Sequence, residues 1–221
     1  MAENYSKGMA KEAVQQEESF LQKNLKKIII GVCAVIVVLV AGILLNNWSE
    51  SKNQKAAEAL YPCEQLFQQG QYEKALNGDG QQVIGLLEVA KQYGSTKTGN
   101  VAKLYAGLAY AKLDKYEEAK QYLEDFDAKN DEMVSPAALG ALGNVYAQLG
   151  DNDKAVKTLT KAAEKADNAV LSPIFLVQAA QILESQGNAA EALKLYEEVK
   201  ANYRGSQLGQ EIDKYIQKAK Q

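Results

Sequence analysis

The sequence predicts an all-α fold: a single N-terminal transmembrane helix followed by an α-solenoid of stacked helical hairpins. Three observations carry this. Residues 28–45 form an uninterrupted apolar run, IIIGVCAVIVVLVAGILL. Downstream, a motif that reads as helix end, tight turn and helix start recurs four times. The 221 residues include 3 Pro against an abundance of Ala, Lys, Leu, Glu and Gln, which lose little on entering a helix. Composition also narrows function. Lys+Arg 25 against Asp+Glu 28 gives a net charge of −3, without the basic field of a nucleic-acid binder. Hydrophobic residues at 47% and charged residues at 24% suit a folded core. There is no His, which removes every Ser-His, Cys-His or His-ligated metal mechanism.

Residues 1–27 are expected to be a cytoplasmic segment and residues 28–45 a transmembrane helix. At 1.5 Å per residue the apolar run covers about 27 Å, close to the roughly 30 Å of a bilayer's hydrocarbon. Trp48 follows it, where an indole suits the headgroup zone. The polar segment before the run is long for a signal peptide and no small-x-small pair follows closely, so the run reads as a retained anchor. Lys7, Lys11, Lys23, Lys26 and Lys27 precede the run, whereas Lys52 and Lys55 beyond it are interleaved with Glu50 and Glu58. That bias predicts a cytoplasmic N-terminus and an exported domain over residues 46–221. The exported part carries 20 basic and 24 acidic residues, a mild and featureless charge. Cys33 lies in the apolar run and Cys63 about 45 Å further along a continuous helix, too far for a disulfide. Cys63 therefore reads as a small packing residue.

The recurrent motif occupies residues 69–75 (QGQYEKA), 113–119 (LDKYEEA), 149–155 (LGDNDKA) and 186–192 (QGNAAEA). Gly70, Gly150 and Gly187 suit the left-handed conformation that closes a helix; Asp114, in the same place, tolerates it less well. Ala119, Ala155 and Ala192 are separated by 36 and 37 residues, and so are Gly107, Gly143 and Ala180 on the preceding helices. Small residues at these places let antiparallel helices approach closely. Ser135-Pro136 and Ser172-Pro173 read as helix starts, Ser as N-cap and Pro as first helical residue, with Gly99-Asn100 opening the unit before. The first unit is degenerate, since Ala75 to Ala119 spans 44 residues. Its surplus includes Asn77-Gly78-Asp79-Gly80, expected to break a helix that resumes from Gln81 to Tyr93. This stretch lacks the spaced carboxylates of a Ca²⁺ loop. Residues 206–221 read as a polar capping helix.

Gly143, Tyr146, Gly150, Ala155 and Leu159 form the best copy of a pattern that resembles the tetratricopeptide repeat. Gly107, Tyr110, Tyr116, Ala119 and Leu123 form a second copy, and Ala180, Leu183, Gly187, Ala192 and Tyr196 a third. The resemblance implies about three clear repeats, a degenerate N-terminal unit and a C-terminal cap, with first helices lining a concave groove that takes a peptide or partner helix. Projected onto that architecture, the groove comprises Leu60 and Phe67, then Val101, Leu104, Leu108 and Lys112, then Asn144 and Gln148, then Ile174, Val177 and Gln181. Ala57, Glu64, Ala137, Gly140 and Glu184 fall in the same rows. Leu104, Leu108, Ile174 and Val177 can equally be interhelix core. Lys112 is the one basic residue, so the cationic clamp that chaperone-docking members close on a terminal carboxylate is not expected; only Asn144 fits it.

A narrower resemblance rests on residues 105–110 (YAGLAY), 116–119 (YEEA), 190–193 (AEAL) and Tyr203. Residues 75–79 (ALNGD) and 95–97 (STK) look like a variant common in Bacteroidota-type bacteria. With the anchor, these resemble the YfgM-like ancillary subunits of the bacterial SecYEG translocon over about residues 20–221. The resemblance implies a single-pass inner-membrane protein with its repeats in the periplasm. Its implied partners are Sec translocon components, a membrane-anchored prolyl-isomerase-like chaperone and emerging secretory polypeptides. A different envelope scaffold, for cell division or envelope stress signalling, is the alternative. No enzyme activity, cofactor, metal, small-molecule substrate or nucleic acid is expected. The paired carboxylates Glu117/Glu118 and Glu197/Glu198 are sequence neighbours whose side chains diverge on a helix.

Overall fold

The computed structural model describes the backbone of residues 2–128 and 133–220, and within those spans the side chains from residue 24 onward except that of residue 28. The side chains of Lys7, Lys11 and Lys23 therefore lie outside the described residues. Contacts divide the chain into two units, Met1–Ser51 and Lys52–Gln221. Helix α1 (Ala2–Gln68) runs through both, so no loop marks the expected boundary at residue 46. Among the described residues of the first unit the large apolar side chains are exposed, Val38 by 70% and Leu45 by 67%. This stretch is long and apolar enough to cross a membrane, and none of it is buried.

The second unit is a stack of helical hairpins. The end of α1 packs with α2 (Tyr72–Asn77) and α3 (Leu86–Tyr93). Next come α4 (Lys97–Lys112) with α5 (Tyr116–Glu124), α6 (Val134–Gln148) with α7 (Asn152–Ala166), and α8 (Ser172–Ser185) with α9 (Ala189–Asn202). Helix α10 (Gln207–Ala219) closes the stack, burying Ile212 and Ile216.

Each hairpin turns by the same device. Gly70, Asp114, Gly150 and Gly187 have φ of 75°, 59°, 79° and 81°. At each, the next N–H reaches back to a carbonyl five residues earlier: Gln71 to Leu66, Lys115 to Tyr110, Asp151 to Tyr146 and Asn188 to Leu183, at 2.9–3.0 Å. These bonds satisfy carbonyls that the ending helix leaves without donors. Side-chain size then sets how closely the two helices pack. A Cβ on Gly107 would stand 2.6 Å from Leu123 Cγ, and one on Gly143 2.7 Å from Leu159 Cγ. Ala75, Ala119, Ala155 and Ala192 are fully buried on the second helices.

Several expected helix starts are corrected. Ser135 and Ser172 lie inside the first turns of α6 and α8 rather than at their N-caps. The Ser172 hydroxyl donates to the Ala163 carbonyl at 2.8 Å and accepts from the Asn168 N–H at 3.1 Å, tying the end of α7 to the next helix. The cap of α4 is Thr96, not Gly99-Asn100: its Oγ1 accepts from the Gly99 N–H at 3.0 Å. After α2 the helix resumes at Leu86, not Gln81. Asp79 Oδ1 accepts the N–H groups of Gln81, Gln82 and Val83, each at 2.9 Å, which folds this segment as a loop. The three donors hold the Asp79 carboxyl below its ordinary value, Val83 contributing most. Gly85 follows at φ 84°, where a Cβ would sit 2.5 Å from the Leu76 carbonyl oxygen.

Candidate functional site

First helices crowd one side of the stack. Helix α4 meets α6, and α8 meets α10. Helix α6 meets α8 where Gly140 faces Phe175; a Cβ on Gly140 would fall 2.1 Å from the ring's Cε1. Among the described residues no comparable approach joins the second helices α5, α7 and α9 to one another. Neighbouring hairpins thus come closest along the face formed by their first helices.

Burial sorts the residues expected there. Leu60, Leu104 and Val177 are 5%, 8% and 5% exposed, each inside a core cluster. They are corrected to interhelix packing, because the close approach of neighbouring helices covers them. Gly140 is likewise buried, under Phe175. Phe67, Val101 and Leu108 are half-buried, whereas Lys112, Asn144, Gln148, Ile174 and Gln181 are exposed. The accessible surface thus has an apolar part, Val101, Leu108 and Ile174, and an amide part, Asn144, Gln148 and Gln181.

Phe67 is held edge-on by Tyr72 at 5.2 Å and Tyr105 at 5.3 Å between ring centroids. Burial pushes the Tyr105 hydroxyl up, with further contributions from Glu64, to which it is hydrogen-bonded. Glu184 accepts the Tyr196 hydroxyl at 2.9 Å and pairs with Lys218 at 3.6 Å. The carboxylates in the groove rows are therefore engaged within the fold. Lys112 has no ion-pair partner among the described residues. A single ammonium cannot clamp a terminal carboxylate bidentately.

Two features escaped sequence reading. A polar cleft of about 380 Å³ lies between α5 and the α6–α7 turn, lined by Glu117, Lys120, Glu124, Tyr146, Asp151 and Lys154. Its groups are mutually paired. The Tyr146 hydroxyl donates to Glu124 at 2.6 Å, and Lys154 bonds Asp151 at 2.6 Å while standing 5.4 Å over the Tyr146 ring. Burial, followed by the bond to Glu124, pushes Tyr146 up to about 12. This cleft is a seam between repeats. The second feature had a signal in the sequence. Residues 93–99 and 203–209 share a Tyr-x-x-Ser/Thr-x-x-Gly pattern. In each, the Tyr carbonyl accepts from the capping residue's N–H and hydroxyl, and the capping oxygen accepts from the Gly N–H.

A family model described as a tetratricopeptide repeat-like domain matches residues 18–161, and one described as a tetratricopeptide repeat matches residues 140–206. Among solved structures, the chain is similar to the nearly identical TPR-like repeats of a protein described as a kinesin light chain of Podosopora anserina. A single-substitution variant of that protein shares 15% identity at a TM-score of 0.59, covering 76% of this chain and 85% of that one. A second crystal structure gives 16% identity and a TM-score of 0.56, covering 76% and 91%. At these identities the likeness is one of fold. No curated protein matches the chain.

Proposed function

The chain belongs to the family of tetratricopeptide repeat-like domains, and from that premise we propose that it is a membrane-anchored, non-enzymatic scaffold that binds other proteins through the inner face of its repeats. The matched family is that of the YfgM-like proteins. In its finer form the proposal is a chaperone-like accessory factor at the periplasmic face of the bacterial Sec translocon. Its N-terminus is cytoplasmic, and its partners are translocon components, a membrane-anchored periplasmic chaperone or emerging secretory polypeptides.

One observation carries this reading. The match over residues 18–161 begins before the apolar run and ends within α7, so the membrane-length helix and the repeats are matched as one unit. A generic repeat domain would match without the apolar helix. Two measurements test the proposal. A reporter fused after Gln221 is expected to be active only outside the cytoplasm. Affinity capture from detergent-solubilised membranes is expected to co-purify translocon subunits. Cytoplasmic reporter activity contradicts the topology, and a captured set made of division or envelope-stress proteins contradicts the assignment to the translocon.

A further inference from the structure

Independently of the groove on the first helices, we infer that the exposed face of α7 docks a narrow acidic segment of a partner protein along a row of lysines. Lys154, Lys157, Lys161 and Lys165 stand three and four residues apart, so all four fall on one stripe of α7, about 16 Å long. The first three are exposed and Lys165 is half-buried. Lys154 is held by Asp151 at 2.6 Å. Lys157, Lys161 and Lys165 have no hydrogen bond or ion pair among the described residues, although Glu164 is exposed beside them. A lysine on a solvated helix is ordinary, and one in the last turn suits the helix dipole. The contrast with the flanking repeats goes further. Shifted by the 36 and 37 residues that relate Ala119, Ala155 and Ala192, the same row reads Glu118, Gln121 and Asp125 at α5, and Glu191, Lys194, Glu198 and Asn202 on α9. A row that is acidic in sum on both sides is cationic at every position on α7.

The sign and the width of the stripe choose the partner. Ammonium groups in line complement carboxylates in line; each exposed pair contributes little alone, and a row of them acts together. The stripe is one side chain wide. Asp153, four residues before Lys157, and Glu164, three after Lys161, are exposed along its border. A flat anionic membrane laid on α7 would meet those carboxylates as well, and α7 exposes no large apolar side chain to insert among lipids. A single acidic chain fits within the row and avoids both. Extended, about five residues cover its length, with alternate side chains on the facing side.

The test uses the full chain in nanodiscs of phosphatidylcholine, which accommodate its apolar helix and carry no net charge. Two end-blocked peptides of about a dozen residues serve as probes, one with Glu at every second position and one with Gln in those places. At about 50 mM salt the wild type is expected to bind the Glu peptide at least about tenfold more tightly than the Gln peptide, and to lose the difference by about 500 mM. Lys157→Glu combined with Lys161→Glu is expected to abolish the preference. The pair Lys157→Arg and Lys161→Arg is expected to keep it, and so is the charge-matched pair Lys97→Glu and Lys220→Glu outside α7. Circular dichroism checks that each variant retains its helix. Leu108→Glu is expected to leave Glu-peptide binding unchanged, so failure of the groove and failure of this face are read apart. Equal binding of the two peptides by the wild type overturns the inference, as does a preference that survives the double Glu variant at α7. Lysine-dependent binding to phosphatidylglycerol vesicles that the Glu peptide does not displace would give the face to a membrane. Lysine-dependent association of the chains with one another would give it to a second copy. Either result overturns the partner reading.

Discussion

Asp114 stands alone among the four hairpin turns in placing a side chain where the others place glycine. An L-residue in the left-handed region costs roughly 1 kcal/mol, because its Cβ crowds the following carbonyl. Asp114 recovers part of that through its carboxylate, which accepts the Tyr116 hydroxyl at 2.6 Å. The same bond raises the Tyr116 hydroxyl above its ordinary value. Asp114→Ala keeps the strain and loses the bond, whereas Asp114→Gly loses both. In thermal or denaturant unfolding, the Gly variant is therefore expected to be about 1 kcal/mol more stable than the Ala variant. Equal stabilities would mean that the turn is not held left-handed in solution. The turn position was legible in the sequence because it depends on local backbone alone. Cys63 shows how a register can hide. It is fully buried and lies twelve residues before Ala75, the spacing that separates Gly107 from Ala119 and Gly143 from Ala155. Its thiol donates to the Ala59 carbonyl at 3.4 Å, and burial pushes its ionisation up, so it serves as the small residue of the degenerate first unit.

At the scale of the element, helix pairing follows side-chain volume. Gly143 is buried against Leu159 with no room for a methyl group, so Gly143→Leu is expected to cost about 1–3 kcal/mol or more. Lys157, exposed on the outer side of α7 and without an ion pair among the described residues, is the matched control: Lys157→Glu is expected to shift stability by under about 0.5 kcal/mol. Similar losses for the two variants in chemical denaturation would show that the register is wrong. Lys154, one turn earlier, would be a poor control because it bonds Asp151 and covers Tyr146. Pairing and period were readable because volume and spacing are written in the sequence. Helix starts were less so. Ser172 looks like an N-cap by composition, yet its hydroxyl serves the Ala163 carbonyl of the preceding helix, a partner that exists only once α7 and α8 have docked. The loop after α2 hides for the same reason: Asp79 collects three backbone N–H groups, and only then is the helix from Gln81 excluded.

At the scale of the repeat stack, the approach of neighbouring helices decides which first-helix residues stay exposed. Leu104 and Leu108 lie one turn apart on α4 and look equivalent in sequence, but Leu104 is buried and Leu108 is half-exposed. Leu60 and Val177 follow Leu104 inward. Helical periodicity gives the row and not the depth, which depends on how closely α4, α6 and α8 approach. What remains for the proposed groove is an apolar part, an amide part and Lys112, which has no ion pair among the described residues. Burying an apolar side chain gains about 25 cal/mol per Å² removed from water, whereas an exposed charge is screened within about 8–10 Å at ordinary salt. Leu108 should therefore govern how long a partner stays, and Lys112 at most how fast it arrives. The decisive measurement compares Leu108→Glu and Lys112→Glu in the full chain, each first shown by circular dichroism to retain its helix, for binding to the partner captured from membranes. Leu108→Glu is expected to weaken that complex by at least about tenfold while Lys112→Glu changes it less than about threefold, with little dependence on salt. A folded Leu108→Glu variant that binds normally, beside a Lys112→Glu variant that does not, would contradict recognition through an apolar inner groove.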